Sequence, residues 1–150
     1  MAKVVFVCWG NICRSPMAER VARAMAAELG IDVETDSVGI SSEESGNPID
    51  HRAAAVLRQS GYDPTGHRAR RVTLADLAGM DLVVAAENFH ISRLELLYPG
   101  GNYALLNDFN PAMPKGQDLQ DPWYGPASGF DDTLADIEAA MPGILAAVAG

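Results

Sequence analysis

The chain has 150 residues, 48% hydrophobic and 21% charged, a balance that fits one globular domain whose core needs no covalent staples. Its formal net charge of −9 disfavours nucleic acid and anionic membranes as partners, because both need a positive face. With only Cys8 and Cys13, a disulfide scaffold is not expected, and no Cys-x-x-Cys or His-x-x-x-His spacing points to a metal.

The opening Met1-Ala2-Lys3-Val4-Val5-Phe6-Val7 is too short an apolar run for a signal peptide, and no stretch approaches the ~20 apolar residues that span a bilayer. A cytoplasmic protein is expected. Val4 to Val7 reads as a strand buried on both faces, from its continuous β-branched run. Ser15 and Pro16 then suit the cap and first position of a helix. Ala18, Val21, Ala22, Met25 and Leu29 follow at helical spacing, and Gly30 stops the segment.

Ile31 to Val38 reads as a second strand and Asp50 to Gln59 as a helix ended by Gly61. Leu82 to Ala86 is a third strand, Glu87 to Leu97 a helix, and Tyr103 to Leu106 a fourth strand. Asn107 to Ser128, rich in Pro, Gly, Asp and Asn, reads as a long loop of the kind that carries function. The last helix places Leu134, Ile137, Met141 and Ile144 or Leu145 on one face, with Pro142 expected to kink or end its first part. Alternating strands and helices predict an α/β three-layer sandwich, a four-stranded parallel sheet covered by helices on both faces. Ligands in such a fold bind beyond the C-terminal ends of the strands, near the switch point. Cys8 lies at that end of the first strand.

Val7-Cys8-Trp9-Gly10-Asn11-Ile12-Cys13-Arg14-Ser15-Pro16 joins the buried strand to the helix. A turn there can aim several backbone N–H groups inward and add a helix N-terminus, forming an anion cradle. Gly10 permits close approach, and Asn11 tolerates left-handed geometry. The cradle and Arg14 would hold the Cys8 sulfur as a thiolate. Arg14 offers a planar fork for two oxygens of one anion. Ser15 is placed to donate a hydrogen bond to the sulfur.

This run resembles the signature of the low-molecular-weight protein tyrosine phosphatases, and Asp121-Pro122-Trp123-Tyr124-Gly125 resembles that family's second motif, Asp-Pro-Tyr-Tyr-Gly. The likeness covers nearly the whole chain. It implies hydrolysis of phosphotyrosine and aryl phosphates through a cysteinyl-phosphate, with Cys8 as nucleophile, Arg14 as phosphate clamp and Asp121 as general acid, then base. It also implies that Trp9, Gly10, Asn11, Ile12, Cys13 and Ser15 form the phosphate-binding loop. Asn11 would hold that loop's geometry, supported by Ser37 and His67. The pocket wall would comprise Trp9, Glu43, Trp123 and Tyr124.

Cys13 could pair with Cys8 under oxidation or simply pack. His51 and His90 read as surface residues. No metal or cofactor is expected. The expected partners are a tyrosine-phosphorylated protein and phosphate or another oxyanion in the site, with the chain a monomer. The chain departs from common members at Trp9, Trp123, Glu43, Glu44 and Ala86-Glu87. A thiol-dependent arsenate reductase shares the fold and first loop, but no cysteine follows Cys13. An inactive phosphotyrosine-binding module is the third reading.

Overall fold

A computed structural model describes residues 1–149. Four strands, β1 (Ala2–Cys8), β2 (Val33–Gly39), β3 (Leu82–Ala85) and β4 (Tyr103–Leu105), form one parallel sheet in the order β2-β1-β3-β4. Five helices connect or flank them: α1 (Arg14–Leu29), α2 (His51–Gln59), α3 (Leu74–Leu77), α4 (Asn88–Leu97) and α5 (Gly129–Ala149). The α/β three-layer reading therefore holds.

The continuous apolar run of β1 is explained by its position. Val4 and Phe6 enter a core built with Met17 and Val21 of α1, Leu57 of α2 and Ile137, Met141 and Ile144 of α5. Val5 and Val7 enter a second core with Val38, Val83 and Leu94 of α4. Successive side chains point to opposite faces of the sheet, so both faces of this strand must be apolar. The chain leaves β1 for β2 on one side and returns to β3 on the other. The switch point thus falls at the end of β1, where Cys8 stands.

Two local readings need correction, and one short element was missed. Helix α1 begins at Arg14, and its N-cap position, Cys13, makes no side-chain cap bond; Ser15 is not the cap, because its hydroxyl is engaged in the loop described below. Pro16 still lies in the first turn, where its missing N–H costs little. Helix α5 continues through Pro142. Ala140, Met141, Ile144 and Leu145 are buried on both sides of the proline while Pro142 itself faces solvent, so core burial offsets the lost backbone bond. The short helix α3 was not anticipated, although Thr73 and Asp76 form a capping box, Thr73 N–H and Oγ1 both reaching Asp76 Oδ2 at 2.7 and 2.9 Å.

The segment read as a loop from Asn107 to Ser128 is entered by one 3-10 turn, Leu106–Phe109, whose first residue reads as strand in the sequence, and holds a second at Pro122–Tyr124. Leu119, fully buried, pins it: its N–H donates to Ala86 O at the end of β3, 2.8 Å.

Candidate active site

The loop from Cys8 to Arg14 is shaped by Asn11, whose φ is 60° and whose side chain is fully buried. Each of its polar atoms has a partner of fixed direction. Oδ1 accepts from the Arg70 N–H at 3.0 Å, and Nδ2 donates to Ser15 Oγ at 2.8 Å and Ser37 Oγ at 3.1 Å. Ser37 donates in turn to Glu19 Oε1 at 2.7 Å. Ser15 Oγ, already accepting from Asn11, has its proton free for the Cys8 sulfur 3.0 Å away. The Ser15 N–H adds a second donor at 3.4 Å. A carboxylate acceptor at one end thus fixes a hydrogen-bond chain that ends as two donors on sulfur.

His67 approaches the same residue from outside, Nε2 lying 2.6 Å from Asn11 O. The acceptor is a carbonyl, so Nε2 carries the proton. Burial holds His67 below the ordinary histidine range, with the Asn11 bond opposing. Ser37 and His67 thus both contact Asn11. Gly39 is required for close approach: a Cβ there would lie 2.9 Å from Trp9 O and 3.1 Å from Asn11 Cβ.

Arg14 is 3% exposed. One terminal nitrogen donates to Leu119 O at 2.7 Å, and the other reaches Glu87 Oε2 at 2.6 Å and Asp121 Oδ2 at 3.6 Å. Asp121 opens the second 3-10 turn, Oδ1 accepting from the Trp123 N–H at 3.1 Å. Arg52 steadies this segment, its guanidinium lying 5.0 Å from the Trp123 ring centroid and 4.7 Å from that of Phe130.

Cys8, Trp9, Gly10, Ile12, Cys13 and Arg14 line one side of a single pocket of about 150 Å³, with Glu43, Glu44, Asp121, Trp123 and Tyr124 on the other. Of the sequence-selected residues only Asn11, Ser15, Ser37 and His67 stand behind the pocket rather than in it. Trp9 Nε1 donates to Glu43 Oε2 at 3.3 Å, tying the two wall residues together. Cys13 differs from Cys8. Burial first, then the charge of Asp50, pushes its thiol far above the ordinary range, so it stays protonated.

The geometry is matched by kinship. Residues 3–150 match the model for low molecular weight phosphotyrosine protein phosphatases. The chain belongs to that family. A low molecular weight protein-tyrosine-phosphatase of Streptomyces coelicolor is 42% identical, covering 97% of this chain and 93% of its own. The low molecular weight protein-tyrosine phosphatase A of Mycobacterium tuberculosis is 41% identical over 94% of this chain and 88% of its own. The crystal structure of YfkJ from Bacillus subtilis superposes with a TM-score of 0.88 at 32% identity, covering 97% of this chain and 93% of that one.

In this phosphatase the site is also surrounded by residues that sequence reasoning missed. Glu19, a carboxylate on α1, is 4% exposed, buried by tertiary contacts that the local pattern does not announce. Glu87 was noted only as a departure, and its contact with Arg14 had no local signal. His90, read as a surface residue, is 1% exposed, because α4 turns it back onto its own first turn. Its Nδ1 accepts from the Glu87 N–H at 3.2 Å, which leaves the proton on Nε2, 3.8 Å from Glu87 Oε2.

Burial, with the Arg14 guanidinium second and Glu87 opposing, pushes His90 down from 6.5 to about 4. Between those values the unfolded chain binds the proton and the folded chain does not. This contribution to stability is fully present above the unfolded value and is lost as pH falls towards the folded one. The expected unfolding free energy drops by roughly 2 kcal/mol from about pH 7 to about pH 5, with His67 adding in the same direction. Urea titrations should show the slope, and His90→Gln should flatten it. A wild-type stability constant across that window would contradict the assignment.

Proposed function

We propose that this chain hydrolyses phosphotyrosine in proteins, and simple aryl phosphates, by two in-line transfers through Cys8. The observation that carries the reading is the hydrogen-bond chain from Glu19 through Ser37, Asn11 and Ser15 to the Cys8 sulfur, at the base of a pocket that also holds Arg14 and Asp121.

In the first step the Cys8 thiolate attacks phosphorus while the phosphorus–oxygen bond to the aryl group breaks. Asp121 gives its proton to the departing phenolate oxygen. The loop amides and Arg14 take up the charge on the three equatorial oxygens, so positioning and electrostatics supply most of the acceleration. In the second step Asp121, now a carboxylate, removes a proton from water, whose oxygen attacks phosphorus. The sulfur–phosphorus bond breaks, phosphate leaves, and thiolate and protonated Asp121 are restored. The same field of amides and guanidinium serves both steps, and no cofactor enters the scheme.

The walls favour an aryl ester. Trp9 on one side and Trp123 with Tyr124 on the other offer flat faces at the mouth, while Glu43 and Glu44 disfavour acidic residues flanking the phosphotyrosine. The mechanism requires a reduced sulfur, which supports a cytoplasmic setting, and the pocket is built within one chain, which supports a monomer.

Turnover of a phosphotyrosine peptide and p-nitrophenyl phosphate, with chelator and reductant present, tests the reading. The wild type should hydrolyse both. Asp121→Ala should lose roughly 10²–10⁴ in rate on phenols that are poor leaving groups, and far less on activated ones. A uniform loss across leaving groups would remove Asp121 from the acid role. Bound but unturned substrate would favour the phosphotyrosine-binding module, and turnover of arsenate but not phosphate esters the reductase.

A further inference from the structure

Behind the catalytic loop, on the far side of Asn11, lies an open cleft of about 490 Å³. Its lining is unusual for a chain of net charge −9. Arg20, Arg23, Arg68 and Arg70 face only two carboxylates there, Glu19 and Asp36. Arg23 is matched by Glu19 at 2.6 Å and Arg70 by Asp36 at 2.7 Å. Arg20 and Arg68 form no ion pair with any described carboxylate.

Arg20 carries the argument. The residue is 9% exposed, its one side-chain bond is a long 3.5 Å contact to Asp63 O, and its Nε–H has no partner. A buried charge with an unused donor is costly unless an anion meets it. Arg68, exposed at the rim, makes only a 3.3 Å bond to Gly46 O and is free to turn inward. Two unpaired guanidiniums on one concave wall, with Thr65 and His67 beside them, match the oxygens of a phosphate dianion.

We propose that this cleft is a second anion site, distinct from the catalytic pocket, for free phosphate or a small phosphate monoester. Its inner wall includes Ser37 and His67, which hold Asn11. An occupant would touch the support of the catalytic loop without entering the pocket of Cys8. The site stands independently of the reaction assigned to Cys8, because its test reads binding and not turnover.

The test uses Cys8→Ser protein, which hydrolyses nothing, titrated separately with inorganic phosphate and glycerol 3-phosphate. The Arg20 Nε–H and the Gly10 amide are followed by proton–nitrogen NMR. The Arg20 signal should move saturably with a midpoint different from that of Gly10. Adding Arg68→Gln should raise the Arg20 midpoint by about tenfold and leave that of Gly10 in place. The tighter of the two probes identifies the source of the phosphate group. An Arg20 signal that stays still while Gly10 saturates would overturn the proposal. So would one that follows Gly10 with a shared midpoint, or one indifferent to Arg68→Gln.

Discussion

Cys8→Ser should abolish turnover, by on the order of 10⁵-fold or more, while leaving phosphate binding and the fold in place. The reason lies in what the loop is built to stabilise. Two donors converge on the sulfur, from the Ser15 hydroxyl at 3.0 Å and the Ser15 N–H at 3.4 Å, and they lower the energy of a negative atom. Sulfur carries that charge far more readily than a serine oxygen, and serine is the poorer leaving group in the second step. The shorter Cβ–O bond also draws the oxygen back from its donors. Steady-state rates on p-nitrophenyl phosphate and calorimetric titration with inorganic phosphate together check the result. Residual activity within a hundredfold of wild type would mean that another group carries the transfer. Cys13 does not compete for that role, because burial and Asp50 keep it a thiol.

Arg14→Lys should cost roughly 10³-fold in kcat/KM, more than a change that keeps the charge would suggest. In the proposed reaction Arg14 has two duties at once. One terminal nitrogen is bound to Leu119 O and the other to Glu87, which fixes the plane of the guanidinium, while its remaining donors stay available for the phosphoryl oxygens. An ammonium has its donors on one atom. It can meet Glu87 or the substrate, and not both in the required plane. The loss should fall on kcat as well as KM, since the paired oxygens bear most charge in the transition state. A lysine variant within tenfold of wild type would show that charge alone suffices.

Much of this is legible in the sequence. The apolar run of β1, the helix periodicity of α1 and α5 and the Gly30 stop follow from local physics, and the two motifs supplied the pocket. Errors arose where tertiary partners overrode local rules. Ser15 is a good cap by propensity, yet the Cys8 sulfur and Asn11 claim its hydroxyl. Pro142 does not end α5, because buried residues on either side hold the helix together. His90 is polar and lies in a helix of mixed pattern, so nothing local announces that it folds back beneath Glu87. Glu19 and Arg20 are adjacent charges on α1 that read as a solvated edge. Only the packing of β2 and the His67 segment buries them and divides their fates, one satisfied by Ser37 and Arg23, the other left with an open donor.

The claim on which the mechanism depends is that phosphorus is transferred to the Cys8 sulfur. Asp121→Ala protein, slow to deliver a base for the second step, can be mixed with an activated aryl phosphate, quenched in acid within milliseconds to seconds, and digested for mass spectrometry. One phosphoryl group is expected on the peptide holding Cys8, appearing with the first burst of phenol and decaying with turnover. Phenol released in a burst with no phosphoryl group on Cys8, or with the group on another residue, would contradict it.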